Sequence, residues 1–351
     1  MKLSKYLILS LFIITSLSAC SNVGKVQEGI TVMDYNNPKK VCFGRIEMMV
    51  PKETEIEYSG LNYNYSDIKV DESVKTYDDY KKIVNDKIQS LKNKPHEKEG
   101  SLLTKDLPGP AQQGDRSISH IIVFRNNKYA DESYDIWGYL YLGSGKLLVL
   151  KSAADNELLG EAVDEMVHNM ESIKIKSPNE TSAGLCWKDF YILDDMSQNR
   201  PFGGGYLHFT FPSYPRVRID IEHRARLESD RPLINMVRKN EKNAPLLYRT
   251  LISSTNLRED KKEINGLAGE EVFSHAKRRG YFERGFESAA WQYLGSLDNH
   301  NDPLVHYSLE SAELVHEDET LESTISQKMV IKLYDFILSS LQISPNNKKD
   351  Q

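Results

Sequence analysis

Hydrophobic and polar positions change period several times along this chain, and each change marks an element. Ile46, Met48 and Val50 alternate with polar neighbours and stop at Pro51, which predicts a strand, and Asn62 to Val70 alternates in the same way. From Tyr77 the interval lengthens. Tyr77, Tyr80, Ile83, Val84, Ile88 and Leu91 recur at helical spacing, with Thr76 placed as an N-cap. Three strand-like runs follow in meander order, at Ile118 to Phe124, Tyr134 to Leu142 and Leu147 to Leu150. Gly143-Ser144-Gly145-Lys146 is the hairpin turn between the last two; it lacks the spacing of a phosphate-binding loop, and no helix follows it. Leu158, Leu159, Ala162, Val163, Met166 and Met170 then predict a closing helix.

A turn-rich linker, Lys176 to Ser182, separates this half from the next. The second half opens with Cys186-Trp187 and a polar loop ending Asn199-Arg200-Pro201, followed by Gly203-Gly204-Gly205. Tyr206 to Phe211 and Val217 to Ile221 alternate as a strand pair joined through Pro212-Ser213-Tyr214-Pro215, because proline presets a turn and cannot donate to a ladder. A helix is expected around Leu233 to Lys242. Strands are expected at Leu246 to Leu251, Gly269 to His275, Phe286 to Leu294 and Leu304 to Leu309, with a tight turn at Gly266. A last helix, Thr320 to Leu341, carries Leu321, Ile325, Met329, Leu333, Phe336 and Ile337 on one face, and Asn346 to Gln351 is a polar tail.

The order of features repeats. Cys42-Phe43-Gly44-Arg45, then Trp137-Gly138-Tyr139-Leu140, a helix and Ile173-Lys174-Ile175 are matched by Cys186-Trp187, Trp291-Gln292-Tyr293-Leu294, a helix and Gln342-Ile343. The intervals from Cys to Trp are 95 and 105 residues. The chain therefore reads as α+β, with two related domains at 38–176 and 182–344, each a mainly antiparallel sheet with packed helices. Its 351 residues suffice for two cores. Trp137 and Trp291 read as core anchors.

Lys2 and Lys5 precede an apolar run from Tyr6 to Ile14, and Leu17-Ser18-Ala19 leads into Cys20. This is a secretory signal over 1–19, too short and too weakly flanked for a membrane-spanning helix. Leu-Ser-Ala-Cys resembles the lipobox of bacterial lipoproteins, which implies cleavage before Cys20, its lipidation, and a tether over 20–37. Two or three acyl chains make a firm membrane anchor. Ser21 after Cys20 resembles sorting to the inner leaflet of the outer membrane, with the body in the periplasm. Two thiols remain, Cys42 and Cys186. In an oxidising compartment they fit one disulfide joining the starts of the two domains, and their matching places equally fit two separate buried thiols.

The formal net charge is −6, and loss of the leader with Lys2 and Lys5 makes it more negative by two. Nucleic acid, which needs clustered positive charge, is therefore excluded as a partner. No Gly-x-Ser-x-Gly elbow is present, and the nine histidines form no metal-ligand spacing, so neither a serine hydrolase nor a zinc site is indicated. Most of the histidines are expected at the surface. Asp220 and Glu222 share a strand face that could suit acid–base chemistry, but Arg218 and Arg224 beside them read as a solvated ion-pair face. Nothing in the sequence calls for a cofactor, a metal or catalysis.

Cys42-Phe43-Gly44-Arg45 with its strand ending Val50-Pro51, then Cys186-Trp187, Arg200-Pro201, the glycine run and Tyr214-Pro215-x-Val217-Arg218-Ile219-Asp220 resemble the type VI secretion lipase immunity proteins of class four. The resemblance spans nearly all of the chain after the leader, and its order and spacing carry more weight than any one motif. It implies two α+β domains, a periplasmic location, no catalytic residues, and tight inhibitory binding to a secreted antibacterial phospholipase effector. Arg200, Phe202, Tyr214 and Arg216, on the Ser197 to Gly205 loop and the Ser213 to Arg216 turn, are of types enriched in interface hot spots and are the expected effector contacts. Inward packing of Phe202 and Tyr214 is the other reading of that pair. A lipoprotein binding a small ligand between its domains is the alternative function, and an envelope hydrolase with a scattered site is a third.

Overall fold

Each half of the chain folds through the same succession of elements. The first comprises β1 (Lys39–Gly44), β2 (Ile46–Val50), β3 (Glu55–Tyr63), β4 (Ser66–Asp71), α1 (Tyr77–Lys92), β5 (Leu103–Pro108), β6 (Ile118–Arg125), β7 (Ser133–Leu142), β8 (Lys146–Asp155), α2 (Leu159–Ser172) and β9 (Ile173–Ile175). The second comprises β10 (Leu185–Trp187), β11 (Phe190–Ile192), β12 (Phe202–Thr210), β13 (Arg218–Arg224), α3 (Leu233–Asn243), β14 (Ile252–Ile264), β15 (Leu267–Arg278), β16 (Phe286–Tyr293), β17 (Leu304–Glu310), α4 (Gln327–Ser340) and β18 (Gln342–Ile343). The computed structural model describes residues 33–110, 118–143, 145–175, 184–193, 202–245, 250, 252–278, 285–297, 299, 301–312 and 325–343. Everything below lies in the compact unit that begins at Asp34. The leader, Cys20, the Lys176 to Ser182 linker, Arg200, most of the Leu246 to Leu251 strand and the Asn346 to Gln351 tail lie outside the described residues.

Two antiparallel sheets result, and the fold is α+β. The larger has the order β14-β15-β16-β17-β13-β12-β3-β4-β8-β7-β6-β5, and the smaller β18-β2-β1-β10-β11-β9. Read from either end, each order passes through matching elements of the two halves. The repeat seen in the sequence is therefore a pseudo-twofold axis running between β12 and β3 in one sheet and between β1 and β10 in the other. Both sheets draw strands from both halves, so the halves share their hydrogen-bond ladders as well as side-chain contacts.

The larger sheet has two unlike faces. Leu207, Phe209, Ile219, Ile221, Tyr307 and Leu309 alternate onto its inner face and are fully buried there. In the middle they meet the smaller sheet, where Phe43 lies so close that a Cβ on Gly205 would stand 2.6 Å from its ring. To one side α2 packs on Gly138 of β7, whose missing side chain leaves room for Met166 and Met170. To the other, Tyr334 of α4 packs edge-on against Phe273 at 5.3 Å and tilted against Tyr307 at 5.2 Å. The outer face carries α1 over β5–β7, with Tyr80, Val84, Ile88 and Leu91 buried against Ile122, Phe124, Tyr139 and Tyr141, and α3 over β15–β16.

Several expectations are met closely. Thr76 caps α1, accepting from Asp79 N while the Asp79 carboxylate accepts from Thr76 N at 2.9 Å, a capping box. The β12–β13 hairpin forms with Thr210 opposite Arg218. Cys42 and Cys186 are bridged, with Cα atoms 5.7 Å apart, so the disulfide reading is the one observed. Three expectations are corrected. The Asn62 to Val70 run is a hairpin, because Asn64 and Tyr65 take φ of 45° and 58° and reverse the chain between β3 and β4. Trp291 is fully buried on the inner face, whereas Trp137 sits half-buried on the outer one; the two landmarks occupy matching strands but opposite faces. His96 and His223 are buried rather than superficial.

Candidate interaction surface

Between α1 and α3 the outer face of the larger sheet is floored by β8, β4, β3, β12, β13 and β17. Strand alternation fixes what this floor presents, since the inward set is apolar and every second residue must point the other way. On β12 these are Tyr206, His208 and Thr210. Opposite them on β13 stand Glu222, Asp220 and Arg218, and on β3 Glu57 faces His208 and Glu55 faces Thr210. β17 adds His306, Ser308 and Glu310.

These side chains form two linked clusters. In one, Arg218 Nε donates to Asp220 at 2.6 Å, and the same carboxylate pairs with His208. In the other, Arg224 Nε donates to Glu222 at 2.6 Å, and its guanidinium grips Asp230 with two bonds of 2.7 and 2.8 Å. Tyr206, 48% exposed, donates its hydroxyl to Glu222 at 3.1 Å. The Arg224 hydrogen bonds hold the Asp230 carboxyl below its usual range and raise the guanidinium further still, while burial lowers His306. The Asp220–Glu222 face is therefore an ion-pair face. Both carboxylates are engaged by arginine, which suits polar recognition better than proton transfer.

The residues singled out from sequence are dispersed. Arg200 lies outside the described residues, Phe202 begins β12 opposite Tyr63, and Arg216 is exposed on the β12–β13 turn. Tyr214 is a correction: the turn closes on itself through Tyr214 N to Phe211 O (2.7 Å) and Val217 N to Tyr214 O (2.9 Å), and the ring folds inward to 6% exposure. Burial and the nearby Glu53 carboxylate push its phenol up. Tyr65, missed in the sequence, stands 76% exposed at the β3–β4 tip beside a cavity of about 390 Å³ lined by Leu158, Ala162, Glu161 and Glu165. The turn former Asn64 was its only signal. Among the described residues no group of three or more His, Cys, Asp or Glu is placed to hold a metal ion, and no helix is long and apolar enough to cross a membrane.

Fold and surface together define a class: a twofold-repeated α+β protein whose broad open sheet face is built of paired charges. Residues 178–346 match the sequence model of the Tle cognate immunity protein 4 C-terminal domain. The fold is similar over most of its length to the apo structure of the immunity protein TplEi of the type VI secretion system from Pseudomonas aeruginosa, at 18% identity, covering 90% of this chain and 99% of that one, with a TM-score of 0.72. A chain in the crystal structure of a Tle4–Tli4 complex is similar at 18% identity, with 89% and 99% covered and a TM-score of 0.74. TplEi complexed with an "L" peptide is similar at 17% identity, with 89% and 100% covered and a TM-score of 0.66. At these identities the likeness is one of fold. No curated protein sequence matches the chain.

Proposed function

We propose that the protein is a type VI secretion immunity protein that binds a cognate antibacterial phospholipase effector and blocks its access to membrane lipid, and that it is not an enzyme. The family match over 178–346, on a fold that covers nearly all of a chain found in a Tle4–Tli4 complex, is the observation that carries this reading. The paired-charge floor between α1 and α3, with Arg216 and Tyr206 exposed, supports a protein partner, because such surfaces select by charge complementarity. A body held in the periplasm by lipid on Cys20 meets a lipase where it attacks. The 38–176 and 182–344 segments serve as two related domains sharing the task.

The test expresses a candidate phospholipase effector, exported to the periplasm, with and without the full-length chain, and follows fatty-acid release and cell survival. Restored survival with hydrolysis lost at near-equimolar protein is the expected result. Unchanged hydrolysis, with no complex on co-purification, overturns the pairing. A Cys20→Ala chain tests the anchor separately, since it should leave the membrane fraction.

A further inference from the structure

The outer face of the first half holds a second charged cluster that the ion pairs of the floor do not absorb. Lys87, on α1, places its Nζ 3.5 Å from the centre of the Trp137 ring and 4.2 Å from that of Phe124. Lys151, on β8 and opposite Trp137 in register, places its Nζ 3.9 Å from the same indole. Two ammonium groups thus share one ring. Neither forms a salt bridge among the described residues. Asp67, opposite Lys151 on its other side, accepts instead from Asn62 at 2.9 Å, and Asp135, on the outer face of β7 with Trp137, stands beyond salt-bridge reach of both lysines.

Cation–π contact accounts for one lysine over the ring. A second like charge on the same ring works against the first. Burial, then Lys94 and Lys151, push the Lys87 ammonium down to about 8 against the opposing pull of Asp135, while burial raises the Asp135 carboxyl against the pull of Lys87 and Lys151. The fold does not demand the arrangement, and the repeat supplies the control. On the matching strands of the second half the outer positions are Ser288, Ala290 and Gln292 on β16 and His306 and Ser308 on β17, with no tryptophan or lysine among them. The pair of cations is therefore particular to one half and partly exposed, and the nearby Asp135 carboxylate is felt by both lysines without pairing with either.

We propose that Lys87, Lys151 and Trp137 form a seat for an acidic side chain of the protein partner, its carboxylate lying between the two ammonium groups and its methylene stem against the indole. The proposal rests on the binding role proposed above and places an acid-specific contact on a chain whose formal net charge is −6, where it would fix the register of an otherwise basic partner face.

The test titrates the full-length protein with a hexaglutamate peptide and follows tryptophan fluorescence, since Trp187 and Trp291 are buried and Trp137 is the responsive ring. Saturable quenching is expected in the native protein, about tenfold or more weaker in Lys87→Met/Lys151→Met and retained in Lys87→Arg/Lys151→Arg, because charge-assisted bonds carry that much affinity. Equal quenching in the methionine variant, quenching by hexalysine, or a response to phosphatidylglycerol vesicles but not to hexaglutamate each overturns it. Thermal melts establish that both variants fold. Effector co-purification separates the two readings. If the native chain binds effector and the methionine variant binds it equally well, the seat is wrong and the immunity role stands. If the native chain binds none, the role itself falls, whatever the peptide does.

Discussion

At the residue scale, the buried histidine is the most consequential side chain that alternation concealed. His223 follows Ile219 and Ile221 onto the inner face of β13, where it is fully buried and its ring centre lies 6.4 Å from that of Phe43. Burial first, and the Arg45 guanidinium second, lower it from 6.5 to about 3. The folded protein therefore refuses a proton that the unfolded chain accepts below pH 6.5, and stability falls as pH drops through that window toward 3. Expected slope is about 1.4 kcal/mol per pH unit. Urea unfolding of native protein and His223→Gln between pH 7 and 4 checks it: the native curve should drop more steeply. Parallel curves would assign the acid sensitivity to other groups. In the sequence His223 read as one of nine loosely placed histidines, because its strand parity was visible but the layer beneath it was not.

At the element scale, tight contacts decide which glycines are fixed. Gly269, on the inner face of β15, leaves room for Trp291, whose ring would lie 2.4 Å from an added Cβ. Trp291 is fully buried and its indole N–H donates to Lys262 O at 2.9 Å, so it cannot move aside. Gly269→Ala should lose about 1–3 kcal/mol by overpacking. Gly160→Ala, at an open position near the start of α2, should instead gain about 0.5–1 kcal/mol from helix propensity. Denaturant midpoints of the two variants measure the contrast, and similar losses in both would contradict it. Helices α1 and α2 were legible to within a residue or two because their apolar stripes run their whole length, and α3 because Leu233, Ile234, Met236 and Val237 open it after Pro232. β14 was not. Its 13 residues run from Ile252 to Ile264 with charge at six of the last seven positions, an edge strand whose exposed charges erase the alternation that reveals buried strands. β3 was hidden for a related reason: its Asn64–Tyr65 turn carries no glycine, so the hairpin read as one strand.

At the scale of the whole molecule, the repeat was readable from the order of Cys, Trp and helix, whereas the way its copies join was not. Ladders between β12 and β3 and between β1 and β10 pair residues 139 to 155 positions apart, and no local pattern specifies such a partner. The charged floor was equally hidden, since Tyr206, Asp220 and Glu222 become a surface only when β3 and β17 flank them. Cys42 and Cys186 were half legible: the sequence marked them as the two remaining thiols at matching places, which fitted a bridge and two separate buried thiols equally, and only the β1–β10 ladder brings them together. Their bridge crosses the pseudo-twofold axis and closes a loop with a sequence separation of 144, so it constrains the unfolded chain across the whole first half while adding little to a join already laddered in the folded state. Chain entropy sets an upper expectation of about 5 kcal/mol for such a loop, and bridges of this kind contribute about 2–4 kcal/mol. Cys42→Ser/Cys186→Ser should therefore unfold at lower urea with a steeper denaturant slope, because the unlinked chain expands further on unfolding. The same ladders should keep the folded double variant's circular dichroism native. A variant with native stability and an unchanged slope would show that the two sheets alone fix the axis. Loss of folded structure would show that the bridge precedes the β1–β10 ladder and directs it.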